Sequence, residues 1–244
     1  MAMQAIAKEP ANSFAPAVTT VAPAATFVEM LAEKSRDRKV PKKERTRYLL
    51  FHIVACAIRE DSGRYPSVEY VLAQSTLSRG TFYNHFRDIE NCVFEMLSLF
   101  IDFNEAVRFP NLKNRTPYEA ILDVNTWYCR NYEANANLFA VISNNPELGH
   151  IRAKKNAAWA KKIVIASERR RGTPYKATEK RELEGIVRIL ITMTIEALRD
   201  RFVHRDALMI SSFRTSTALA VALSKIWHQS ISAYERTGEA ALVQ

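Results

Sequence analysis

The organisation of this chain follows from residues 71–86, Val71-Leu-Ala-Gln-Ser-Thr-Leu-Ser-Arg-Gly-Thr-Phe-Tyr-Asn-His-Phe86. Ser67, just upstream, has the side chain to cap a short helix ending near Gln74, and Ser78 can cap a second from Arg79 to about His85. The link through Ser75 to Leu77 is a tight turn. Two short helices joined by three residues suit a recognition element for the DNA major groove, whose first turn faces base edges while hydroxyls and backbone N–H groups fix it on phosphates. Arg79 has the fork that pairs with guanine, and Gly80 allows close backbone approach. Leu77, Phe82 and Phe86 are expected to bury inward and hold the helix at a fixed angle.

Working outward, Tyr48, Phe51, Ile53, Val54 and Ile58 recur at three- to four-residue spacing, which predicts a helix over about 42–60, stopped by Asp61-Ser62-Gly63. On the other side Asp88 caps a longer helix reaching about Val107, with Ile89, Val93, Phe94, Leu97, Phe100 and Ile101 as its apolar stripe.

The pattern Ser78, Gly80, Thr81, Phe82, Tyr83, His85 and Phe86 closely resembles the DNA-binding signature of the TetR (tetracycline-repressor) family. The likeness is sharp over about residues 45–97; beyond them it rests on length and an all-helical pattern. It implies that Thr81, Tyr83 and His85 sit where the family contacts phosphate or bases. The DNA-binding set is then Lys42, Lys43, Arg45, Arg47, Ser67, Ser78, Arg79, Gly80, Thr81, Tyr83, Asn84 and His85. Leu72, Ser75 and Thr76 depart from the family's small residues around the turn, and Ile89 stands where the family often has a phosphate-binding Lys.

Composition agrees with a nucleic-acid partner. The 244 residues hold 35 basic against 26 acidic side chains, a formal charge of +9. Residues 34–47 concentrate Lys34, Arg36, Arg38, Lys39, Lys42, Lys43, Arg45 and Arg47 against Asp37 and Glu44, an arm able to neutralise phosphates. With only 6 Gly, where ~7% is usual, a Gly-rich phosphate loop is nearly excluded. Cys56, Cys92 and Cys129 are odd in number and lack ligand spacing, against a disulfide framework or zinc site. Residues 1–26, rich in Ala with Pro10, Pro16 and Pro23, read as a disordered lead without an export signal. No apolar run approaches the ~18 residues of a membrane span, so a cytoplasmic protein with no membrane partner is expected. The expected division is a lead and basic arm over 1–40, a helix-turn-helix domain over 41–90, an effector-binding and dimerisation domain over 91–236, and a tail over 237–244.

Past Pro110 the periodicity predicts helices over Thr116 to about Glu133, Asn135 to Ser143, Pro146 to about Arg170, Thr178 to His204 and Leu208 to Arg236, making the fold all-α. The last two carry apolar residues on nearly every side, and a helix apolar all round must be covered all round. A homodimer interface is expected there, through Leu190, Ile191, Ile195, Leu198, Leu219, Leu223, Ile226 and Trp227. Phe100, Asn104, Trp127, Tyr128, Asn131, Trp159 and Met193 are the candidate lining of an effector pocket, since Phe100–Asn104 and Trp127–Asn131 each set an aromatic beside a polar group four residues on. A basic run from Arg152 through Lys154, Lys155, Lys161 and Lys162 to Arg169–Arg171 reads as a solvated helix face, or as a lure for an anionic, largely apolar effector. The five histidines lie far apart and no hydrolase, zinc-protease or cysteine-nucleophile motif occurs, so no enzyme, metal or cofactor is expected. The expected function is a transcriptional regulator on a palindromic double-stranded operator, a repressor released by its effector; the alternatives are a nucleoid-type protein binding DNA without sequence preference and, more remotely, an unrelated helical enzyme.

Overall fold

A computed structural model describes residues 26–61, 64–107 and 115–240. Every regular element among them is helical: α1 (Phe27–Arg36), α2 (Lys42–Glu60), α3 (Val68–Gln74), α4 (Arg79–Tyr83), α5 (Ile89–Val107), α6 (Pro117–Asn144), α7 (Pro146–Arg171), α8 (Ala177–Leu198), a π-helical turn (Arg199–Val203), α9 (Ala207–Ser212) and α10 (Ser216–Ala240). The all-α expectation holds. No helix among the described residues is long and apolar enough to cross a membrane.

The region expected as lead and basic arm contains a helix that the sequence reading did not place, α1. Thr26 and Glu29 form a capping box, the Thr26 hydroxyl accepting from the Glu29 N–H and the Glu29 carboxylate from the Thr26 N–H. Phe27, Val28 and Leu31 then fall on one buried face. Phe27 packs its ring 4.9 Å from Phe100 and 5.5 Å from Phe103, both on α5, and His52 of α2 donates its Nδ1–H to the Val28 carbonyl at 3.2 Å. Apolar burial outweighs the basic composition, while Lys34, Arg36, Arg38 and Lys39 stay exposed. The lead proper, residues 1–25, lies outside the described residues.

Three other boundaries shift. The two helices expected between Thr116 and Ser143 are one element, α6, bent where Asn135 takes φ −132° and ψ 29°. The single helix expected over Leu208 to Arg236 is two. Arg201 donates from Nε to the Phe213 carbonyl at 3.0 Å and from a terminal nitrogen to the Arg214 carbonyl at 3.4 Å, satisfying carbonyls that helix continuation would have used; Thr215 then caps the restart, its hydroxyl accepting from the Ala218 N–H at 3.1 Å. Finally, α10 continues through Ala240, so residues 237–240 are helix and not tail.

One apolar core runs from Phe27 to Ile231 and crosses the expected boundary near residue 90 without a break. Phe100 is the link, fully buried with its ring 4.9 Å from Phe27 and 5.1 Å from Phe139 of α6. Helix α5 thus joins the short N-terminal helices to the longer ones.

Candidate nucleic-acid interface and ligand cavity

Local capping sets the geometry of α3 and α4. The Ser67 hydroxyl accepts from the Tyr70 N–H at 3.1 Å, and the Ser78 hydroxyl from the Thr81 N–H at 3.1 Å. Phe82 and Phe86 are buried, with Phe86 5.3 Å from Phe51 of α2 and 5.8 Å from Phe82. These two rings fix α4 on the core; Leu77 is half-buried beside them. The opposite face is open: Ser78, Arg79, Gly80, Tyr83 and Asn84 are exposed, Tyr83 at 49%. Thr81 and His85 are half-buried, and the Thr81 hydroxyl lies 2.9 Å from that of Ser78.

Gly80 is informative because the fold does not require it. Its φ is not positive, and a Cβ there would meet only the Ser78 hydroxyl at 3.8 Å, an ordinary contact. A helical Gly costs roughly 1 kcal/mol relative to Ala, and no neighbour among the described residues requires the missing Cβ.

The charged neighbours divide into free and engaged groups. Lys42 and Lys43 are exposed and Arg45 is half-buried. Arg79 is held by Glu69 of α3, an exposed pair of little worth in water. Arg47 is differently placed. Its guanidinium lies 5.3 Å from the Phe51 ring and 5.4 Å from the Phe86 ring, and it is paired with Glu95 of α5, so it ties α2 to α5 and to the link that follows α4. Burial, then the nearby Lys43 and Arg47 charges, lower the His85 pKa below its usual value.

The expected pocket residues split into separate groups. Phe100 is core. Asn104 and Asn131 are joined to each other, the Asn131 carboxamide donating to Asn104 Oδ1 at 3.0 Å, and Asn135 donates in turn to Asn131 Oδ1 at 2.9 Å. This ladder spans α5 and the bend in α6. Next to it, Asn137 donates to the Arg59 carbonyl at 2.8 Å, at the end of α2. Trp127 and Met193 are half-buried against the core, and Tyr128 is buried with its ring 6.0 Å from Trp159. Asn104 and Asn131 thus satisfy each other across two helices, which spacing along single helices does not reveal.

A cavity of about 240 Å³ does exist, between α6, α7 and α10, and of the expected residues only Trp159 lines it. Trp159 and Trp227 approach to 5.8 Å, while Arg170 and Glu235 pair at 3.0 Å. Val124, Ile163 and Ile231 are among the apolar lining. On both α7 and α10 a Trp is followed four residues later by Ile, Trp159–Ile163 and Trp227–Ile231. That shared pair was the available signal, whereas Arg170 and Glu235 follow at different spacings. Part of the basic run on α7 is engaged: Lys155 bonds Asp102 at 2.6 Å and Glu105 at 3.2 Å, Lys162 lies 3.6 Å from Glu105, and Arg171 lies over the Tyr175 ring, while Lys154, Lys161 and Arg169 are exposed.

Most of the residues expected between subunits lie inside a single chain. Leu190, Ile191, Leu198, Leu219, Leu223 and Trp227 are buried, and the Trp227 indole donates to the Thr194 hydroxyl at 2.7 Å. Ile195 is half-buried and Ile226 is 43% exposed. The apolar groups left open on α8 and α10 include Ile189, 69% exposed, with half-buried Ile186 and Met193 along the same face of α8, and Ala222 with Ile226 on α10. The surplus read from sequence is real, but α6 and the α7–α10 layer absorb its larger part.

Among the described residues no cluster of potential metal ligands occurs. Burial pushes the Cys129 thiol up to about 12 and Cys92 higher still, leaving them unreactive packing residues. Compared with protein-family models, curated proteins and solved structures, the chain matches none.

Proposed function

We propose that this chain is a sequence-specific DNA-binding transcriptional regulator that acts as a homodimer, presents α4 to the major groove, and represses until a small molecule releases it. The observation that carries the reading is the division of α4: Phe82 is buried, whereas Arg79, Gly80, Tyr83 and Asn84 face solvent. A five-residue helix has no reason of its own to expose a Tyr and to carry a Gly where, among the described residues, a Cβ would fit without a clash. Both make sense against a closely approaching partner, and the surrounding Lys42, Lys43 and Arg45 suit a polyanion. The resemblance of residues 78–86 to the TetR signature supports the same reading.

The exposed face of Ile189, Met193, Ala222 and Ile226 supports dimerisation, since α8 and α10 pack on each other and their combined outer face suits a helical bundle with its symmetry mate. Two α4 helices would then read two half-sites. Selection of bound sequences from random DNA tests the function: a palindromic consensus is the expected result, and equal binding to all sequences would replace the regulator by the nucleoid-type protein. Sedimentation of an Ile189→Lys, Ile226→Lys double variant should show monomer where the native chain shows dimer at micromolar concentration.

A further inference from the structure

The cavity between α6, α7 and α10 is bordered by two indoles and by an ion pair. Trp159 and Trp227, 5.8 Å apart, offer flat apolar surface, and Ile163 and Ile231 extend it. The charged residues lining it are Lys162, Arg170 and Glu235, two cations and one anion. The Glu235 carboxylate is already engaged, accepting from Arg170 at 3.0 Å and from the Ser167 hydroxyl at 2.5 Å. Lys162 is the more open cation, its side chain 61% exposed and 3.6 Å from a Glu105 carboxylate that Lys155 also holds. A cationic guest would meet a net positive rim and an occupied carboxylate; an anionic one would find an accessible ammonium.

We propose that this cavity binds a small, mainly apolar molecule with one anionic end, its apolar body against Trp159, Trp227 and the two isoleucines and its charge at Lys162 and Arg170. For the effect on DNA the assignment rests on the regulator reading; for binding it does not. The wall supplied by α6 spans Pro117 to Asn125. Beyond the bend at Asn135 the same helix reaches the end of α2, where Asn137 donates to the Arg59 carbonyl. A guest that shifts the first arm of α6 therefore bears on the support of the DNA-facing helices, and occupancy must favour the state that binds DNA less well.

The experiment uses the full chain without DNA and three probes below their micelle concentrations: decanoate, decanol and decylamine. Tryptophan fluorescence reports binding, and the Trp127→Phe variant keeps the signal because Trp127 does not line the cavity. Decanoate should bind saturably and at least tenfold tighter than decanol, with decylamine weakest. Lys162→Gln should remove most of the preference for decanoate. Ala166→Phe, with Ala120→Leu as a second cavity-filling variant, should abolish binding while keeping the far-UV circular dichroism of the native chain. Equal binding of all three probes, or decanoate binding that survives both filled cavities, overturns the assignment. Adding a selected DNA site separates the two readings. A chain that binds decanoate but selects no sequence keeps the cavity site and loses the regulator, whereas one that selects DNA but takes no decanoate keeps the regulator and loses the site.

Discussion

The α3–α4 element and the α6–α7–α10 cavity solve opposite problems with similar residues. In the first, Phe82 and Phe86 go inward while Tyr83 and Asn84 between them face solvent. In the second, Trp159 and Trp227 leave part of their surface to an internal space. The first is built from neighbours in sequence, so periodicity and capping expose it. The second is assembled from residues 117–125, 159–170 and 227–235, and its shape depends on how far three helices stand apart. A surface that reads a polymer can be written in a few consecutive residues; a space that holds a small molecule depends on packing at a distance.

The sharpest way to break this contrast is to attack the anchor of α4. Phe82→Ala should cost about 3–5 kcal/mol of stability, read by denaturant unfolding, because the ring is fully buried. The exposed Tyr83→Ala should stay within about 0.5 kcal/mol. Equal effects would mean that α4 is not divided into an inner and an outer face.

On the outer face, Arg79→Ala should cost about 1–3 kcal/mol of binding to the selected site and relax one symmetric base position. Stability should hardly change, since the Glu69 pair it loses is exposed. An unchanged consensus would remove Arg79 as a reader.

Gly80→Ala sharpens the comparison by moving two measurements in opposite directions. The melting free energy should rise by roughly 0.5–1 kcal/mol, because a Cβ fits the helix without a clash, while DNA affinity falls. A stabilised variant that binds DNA as well as the native chain would leave the glycine without a role.

The smallest effect expected is that of pH. The His85 pKa is lowered in the free fold, and nearby phosphates would favour its charged form, so DNA binding should take up a proton. Affinity should increase as pH falls from about 7.5 towards the lowered pKa, and His85→Gln should flatten that rise. Folding runs the other way: the unfolded chain, with an ordinary His near 6.5, protonates first, so stability declines as pH drops through that value and on to the folded pKa. A rise in affinity that persists in His85→Gln would assign the proton to another group.

Residues 42–107 were legible as helices because their apolar periodicity and caps are local; Ser67, Ser78 and Asp88 all cap as their side chains suggest, the Asp88 carboxylate accepting from the Asn91 N–H at 2.7 Å. Helix α1 was missed although Thr26-x-x-Glu29 carries a capping signature, because the Ala- and Pro-rich lead before it and the cationic run after it drew the reading towards disorder. Arg47 looked like a phosphate ligand, as charge alone does not reveal two aromatic rings and a glutamate brought in from elsewhere. Asn104 and Asn131 looked like ligand contacts for the same reason: each found its partner on another helix.

The seating of Phe27 on α5 has a consequence for how the molecule comes apart. With α1 laid along α2 and its first ring lodged against Phe100 and Phe103, the N-terminal helices cannot open without uncovering the middle of α5. Amide hydrogens of α1, α2 and α5 should therefore exchange as one cooperative unit, while α9, six residues long with no fully buried side chain, exchanges by itself through local fraying. A protease that removed residues up to about 36 would take away a hydrophobic wedge as well as an arm of charge, and the trimmed chain should lose protection far from the cut, along the helix that joins the two ends of the protein.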